Sequence, residues 1–228
     1  MLGCFRRLLS EGGAYHHSTT RNVGWIRMGR PAVHDADGLL DAAALLAATA
    51  GPTGVTMTAV AREAGAPSGS VYHRFPNRPA LLAALWLRAL ERFHEGFIAA
   101  ITGDDAAIAA ESGAGHIVAW CRDNPHDAAV LLYKTADFDE PHWPTEQQQR
   151  LERMNRRVMG TVRELTRRLG LDTARGRELI IMIVLDLPYS VVRRHLRSGT
   201  TIPRYSEQLI AESVRAALAE HRKSAAAP

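Results

Sequence analysis

Cysteine is scarce: only Cys4 and Cys121 occur, far apart and without metal-ligand spacing. That excludes a disulfide scaffold and a structural zinc site. Aromatic residues are few, at 6%, while Ala, Leu and Arg abound, which leans away from β structure and toward helices. No long hydrophobic run exists. The most apolar stretch, near 179–192, is broken by Asp186 and Pro188 and is too short to span a bilayer. Neither sign of charge dominates, with 28 Lys+Arg against 24 Asp+Glu and a formal net charge of +4. The catalytic signatures GxSxG, HExxH, a Gly-rich phosphate loop and CxxC are all missing. The histidines stand singly apart from His16-His17, and no two fall at i, i+4 on an expected helix. Asp104-Asp105 and Asp137/Asp139 read as a helix cap and a loop. The expectation is therefore a cytoplasmic protein that is not an enzyme, with no cofactor and no metal.

What charge there is sits unevenly. Residues 1–33 hold six helix-breaking Gly and Pro residues and no apolar period, and read as a disordered tail. Arg6, Arg7, Arg21 and Arg27 outweigh Glu11 there, a net of +3 over residues 1–27. The change from irregular to periodic sequence just past Met28 suggests that translation starts at that methionine. The remainder is then only +1, so bulk charge is no argument for a nucleic-acid partner.

From residue 34 to about 80 the pattern is a compact three-helix unit. Asp35 or Asp37 can cap a first helix whose Leu39, Leu40, Ala43, Leu46 and Ala47 share one face. Gly51-Pro52 ends it. Thr56 caps a second helix with Met57, Val60, Ala61 and Ala64 inward, and Gly65 closes it in a tight turn. A third helix, about 68–74, points Val71 and Phe75 inward and leaves Ser68, Gly69, Ser70, Tyr72, His73 and Arg74 outside. Asn77 caps a long fourth helix. Two short helices joined by a Gly turn, with a supporting helix before them, are a helix-turn-helix. The second of the pair reads the major groove. Small residues allow close approach, while hydroxyls and Arg can bond phosphates or bases. By pattern alone an ordinary polar surface helix fits as well, because the unit carries Asp35, Asp37, Asp41 and Glu63 against Arg62, Arg74 and Arg78.

The stretch LLDAAALLAATAGPTGVTMTAVAREAGAPSGSVYHRFPNRPALLAAL, residues 39–85, resembles the DNA-binding domain of TetR-family transcriptional regulators. It supplies Thr56, Val60, Ala61, Ala64, Gly65, Gly69, Ser70, Val71, Tyr72, Phe75, Asn77, Arg78, Leu81 and Leu82 at that family's spacing. The resemblance implies phosphate contacts at Thr56, Tyr72 and Arg78, and base-reading positions at Thr58, Ser68, Gly69 and Ser70, with His73 and Arg74 beside them. Pro67 stands where a Ser cap is usual, Ser68 where many members have Lys, and Arg74 where His or Tyr is usual. The first two remove phosphate contacts.

The rest of the chain also carries helical periods. Helices are expected near 77–101, 105–123, 125–135, 145–169, 172–197 and from 203 to about 221, with a turn-rich loop at 136–144 and a disordered tail at 223–228. The fold class is all-α, with about nine helices. An N-terminal three-helix helix-turn-helix domain (34–80) precedes a larger C-terminal helical ligand-binding and dimerisation domain (81–222). Seven arginines from Arg150 to Arg168 read as a solvated face. The helix over 172–197 has apolar residues nearly all round, so it is expected to be buried on several sides. Pro188 should kink it, and Asp186 needs a partner.

The resemblance further implies a homodimer through the last two long helices, bound to a double-stranded DNA operator. It also implies a cavity for a small-molecule effector. The candidate lining is Phe93, Phe97, His116, Trp120, Tyr133, Met154, Met182, Asp186 and Tyr189, with Trp86, Cys121, Phe138 and Trp143 nearby; the same residues can equally form core. The implied function is a ligand-responsive regulator, a repressor released from a pseudo-palindromic operator by a small molecule. The alternative is a helical protein-interaction module that has lost operator binding.

Overall fold

The computed structural model describes residues 36–226. The expected tail over 1–33, the His16-His17 pair and the expected start at Met28 lie outside the described residues. Among those described there is no strand. The helices are α1 (Ala36–Gly54), α2 (Met57–Glu63), α3 (Ser68–Arg74), α4 (Arg78–Ile101), α5 (Ala106–Asp123) and α6 (Pro125–Leu132). Two 3-10 turns (Thr135–Phe138 and Glu140–His142) lead to α7 (Thr145–Arg168), α8 (174–197) and α9 (Tyr205–Ala226). The last helix runs past the end expected near His221.

Side-chain caps mark where four of these helices begin. Thr56 accepts from Ala59 N–H at 3.1 Å, Asn77 from Ala80 N–H at 2.9 Å and Thr173 from Gly176 N–H at 3.0 Å. Asp105 accepts from Ala107 and Ile108 N–H. Each bond satisfies a donor that the helix leaves open. Those two N–H groups also hold the Asp105 carboxyl below its usual pKa. At Gly51 the backbone turns to φ 74°, breaking α1 before its last short turn at Pro52; only glycine adopts that conformation without strain.

Helix α5 lies at the centre, packed by α4, α6, α8 and α9. Its buried face is built of small residues, Ala109, Ala110, Gly113 and Ala114. A side chain at Gly113 would overlap Ile101 of α4, so glycine sets how closely these two helices approach. Helix α8 departs from expectation in two ways. Its middle, Ile181–Asp186, is a π turn in which Leu187 N–H donates to Met182 O, five residues back. Pro188 has no N–H for the carbonyl four residues before it, and the wider turn just upstream is where the helix absorbs that loss. The expected burial on several sides is also incomplete. Met182 is 52% exposed, and Asp186 is half-buried rather than buried.

Charged groups fix the N-terminal unit to the body. Arg88 of α4 donates to the Asp37 carbonyl at 2.9 Å and lies 3.2 Å from its carboxylate. Its Nη2 is 2.8 Å from Asp41 Oδ1, close but poorly aligned for a hydrogen bond. The same guanidinium reaches Asp127 of α6 at 3.8 Å, and Arg92 meets Asp127 at 3.3 Å. The Arg88 and Asp127 side chains are only 11% and 8% exposed. Arg88→Ala is expected to lower unfolding stability in urea by about 2 kcal/mol, less than the roughly 3–5 kcal/mol for breaking a fully buried pair. Asp37 and Asp41 are largely exposed and screened, and Arg92 still covers Asp127. An unchanged urea midpoint would remove this network as the clamp between α1, α4 and α6.

Candidate nucleic-acid interface

Helices α2 and α3 meet at a turn built by Gly65, whose φ is 61°. Ala66 N–H donates to Ala61 O at 2.8 Å and Gly65 N–H to Arg62 O at 3.2 Å, closing α2 in a Schellman-type end. Val60, Ala61, Val71 and Phe75 are buried between the helices. This burial fixes the roll of α3, and so selects which of its side chains face solvent.

The outward face holds Ser68, Gly69, Tyr72, His73 and Arg74, with Ser70 half-buried. Tyr72 is 54% exposed, an unusual state for so large a ring. Neither the Arg74 nor the His73 side chain makes a hydrogen bond or ion pair among the described residues. A side chain at Gly69 would meet nothing within 4 Å, so internal packing does not require glycine there. Pro67 provides no side-chain cap, and Ser70 N–H donates to the Pro67 carbonyl at 2.9 Å instead. Thr58 is exposed, with its hydroxyl 3.3 Å from that of Thr56.

Arg78, expected at a phosphate, also bonds within the chain. Its Nε donates to Val55 O and its Nη2 to Pro52 O, both at 2.8 Å. Those carbonyls lie at the joint between α1 and α2. The planar guanidinium fork therefore ties the start of α4 to the residue just before Thr56, and holds the α2 cap in place. One carbonyl ends α1 and the other follows it, and their use of Arg78 is visible only once the joint is folded.

The residues expected to line an effector cavity separate into groups. Phe93, Phe97, His116 and Trp120 form one aromatic cluster. Phe93 stacks on Phe97 at 5.8 Å between centroids and meets His116 at 5.8 Å and Trp120 at 5.3 Å. The two phenylalanines are fully buried, and Gly96 leaves room for the His116 ring. This packing is that of a core. Burial holds the His116 imidazole below its usual pKa. Tyr133 lies apart, edge-on to Phe138 at 6.0 Å. Met154 is half-buried on α7, and Asp186 and Tyr189 are half-buried on α8. Met182 borders an open groove between α8 and α9 with Leu179 and Ala217.

A cavity of about 750 Å³ opens elsewhere, between the end of α1, the α5–α6 corner and the α8–α9 loop. Ala48, Thr49, Cys121, Arg122, His126, Tyr133, Arg197 and Thr200 are among its walls. Of the expected set, Tyr133 lines it, as does the nearby candidate Cys121. The thiol of Cys121 is pushed up to about 12 by burial, so it is neutral at ordinary pH. Arg122, His126, Arg197 and Thr200 were not legible as wall residues. They come from segments far apart in sequence, and no periodicity relates them.

Residues 39–85 match the family model described as bacterial regulatory proteins, tetR family. No curated protein matches the chain. Solved structures do. The TetR family transcriptional regulator PfmR from Thermus thermophilus superposes with a TM-score of 0.64 at 15% identity, covering 82% of this chain and 97% of that one. A regulatory protein in the tetR family from Rhodococcus gives 0.63 at 20% identity, over 80% and 94%. The fatty acid degradation regulator FadR from Bacillus halodurans gives 0.61 at 16% identity, over 79% and 98%. At these identities the likeness is one of fold. No described helix is long and apolar enough to cross a membrane. The helical body over the described residues thus has the fold of the TetR-family transcriptional regulators, and residues 39–85 match that family's DNA-binding helix-turn-helix.

Proposed function

We propose that this protein is a cytoplasmic, ligand-responsive repressor that binds a pseudo-palindromic DNA operator as a homodimer. The observation that carries the reading is the outward face of α3. The side chains of Tyr72, His73 and Arg74 are exposed and bond no other described residue, beside the small residues Ser68, Gly69 and Ser70. Small residues admit the helix to the major groove, and Tyr72 and Arg74 supply donors to phosphates or bases. Thr56 and Thr58 at the start of α2 take the adjoining phosphate or base edge. Arg78 serves by fixing the joint that presents them.

Pairing of α8 and α9 with their counterparts accounts for large apolar side chains left outside on those helices, namely Met182, Tyr205 and Leu209. A two-fold dimer then sets two reading helices about 34 Å apart, one turn of DNA. A small molecule held in the helical body shifts the balance toward a state in which that spacing is wrong. The Arg88 network is the contact through which the body holds the reading unit.

Genomic footprinting of the native protein should return bound sites with two related half-sites. Affinity for them should fall steeply and log-linearly with salt. Absence of footprints, or binding indifferent to salt, would overturn operator binding and leave a helical interaction module.

A further inference from the structure

We infer that the cavity between α1, the α5–α6 corner and the α8–α9 loop binds a small amphipathic carboxylate. The inference rests on the ligand-responsive reading above and gives it a site and a chemical class. About 750 Å³ is room for a small organic molecule. Its walls divide by chemistry. Ala48, Ala129, Leu132, Leu196 and Ile202 offer apolar surface, and the neutral Cys121 thiol adds to it. Arg122, His126 and Arg197 are the charged or chargeable side chains in the lining, and no carboxylate is among them.

The two guanidinium groups are not equivalent. Arg122 is already held by Asp123 at 2.9 Å and by Glu207 at 3.3 Å, so its charge is matched. Arg197 makes no hydrogen bond or ion pair among the described residues, and neither does His126. An unmatched guanidinium beside an apolar wall suits a planar carboxylate, which it bonds through two parallel N–H groups. Thr49, Thr200 and Thr201 also line it, the Thr49 hydroxyl donating to Leu45 O and the Thr200 hydroxyl bonded to His195.

The location joins the site to the reading unit. Ala48 and Thr49 belong to α1, so the helix that supports α2 and α3 forms part of the wall. Tyr133, also in the wall, reaches the break in α1 at Gly51. A side chain at Gly51 would meet its hydroxyl at 3.4 Å. A molecule lodged between α1 and the α8–α9 loop touches both bodies at once and interacts differently with each of their relative positions.

The full-length protein can be titrated calorimetrically with octanoate and phenylacetate, and with acetate, octanol and octylamine as controls. Octanoate or phenylacetate should bind, with acetate, octanol and octylamine each weaker by about tenfold or more. Arg197→Gln, an exposed change, should weaken carboxylate binding by about tenfold or more. Ala129→Trp should weaken it by about tenfold or more by placing an indole against the apolar wall. Failure of both carboxylates to bind overturns the inference, as does acetate binding as tightly as octanoate. So does carboxylate binding that neither substitution alters. A gel shift of the unliganded protein runs separately. Operator binding without carboxylate binding refutes only this site, and carboxylate binding without operator binding refutes only the DNA reading.

Discussion

Replacing Tyr72 or Arg74 by alanine is expected to weaken operator binding by about 1–3 kcal/mol each, roughly a factor of ten to a hundred. Both side chains are exposed, and neither bonds another described residue. Their removal should therefore leave thermal stability almost unchanged, which separates a binding defect from a folding one. If Arg74 contacts a phosphate, Arg74→Ala should also reduce the slope of log affinity against log salt by about one. A base contact would instead relax sequence preference at a single position. Val71→Ala gives the contrast, because Val71 is fully buried under α3 and its loss should show as instability. Fluorescence anisotropy on a footprinted site measures all three. Operator affinity unchanged in both surface variants would dismiss α3 as the reading helix.

A second large effect is expected in acid. His94 is 4% exposed on α4, and its pKa is lowered from 6.5 to about 4, mainly by burial and then by the charge of Arg157. The unfolded chain therefore binds a proton at this group over a range where the folded chain does not. Stability is fully present above the unfolded value near 6.5. It falls as the pH drops toward about 4. The loss is about 1.4 kcal/mol for each pH unit inside that window, and about 3 kcal/mol across it. The downward shift at His116 acts in the same direction. Urea unfolding at a series of pH values measures the slope. In His94→Gln the stability at neutral pH also changes, but the slope between pH 6.5 and 4 is the readout. That slope should be markedly shallower. An equal slope in the variant would place the acid sensitivity elsewhere.

The aromatic residues show how little of a cavity wall is legible from residue type. Phe93, Phe97, His116 and Trp120 follow one helical period on α4 and another on α5, and that period correctly places them inside. It does not distinguish packing against each other from packing against a guest, since both need the same apolar stripe. The cavity instead draws on 48–49, 121–133 and 196–202, three segments joined only by the packing of α1, α6 and the α8–α9 loop. Met182 has the opposite lesson. An almost uniformly apolar helix reads as buried all round, yet a π turn and an open flank leave this side chain outside.

The sequence by itself determined the helices, their order and the reading unit. Those features depend on interactions between residues a few positions apart: Thr56, Asn77, Asp105 and Thr173 capping neighbouring N–H groups, Gly51 and Gly65 adopting positive φ, and apolar residues recurring every turn. Such signals survive without knowledge of the fold. Tertiary structure alone decided that Arg78 anchors a joint, that Arg88 gathers Asp37, Asp41 and Asp127, and that Arg197 stands unmatched beside an apolar wall. The partner of a charged side chain is whichever group the packed chain brings within a few ångströms, and that distance is set by segments remote in sequence.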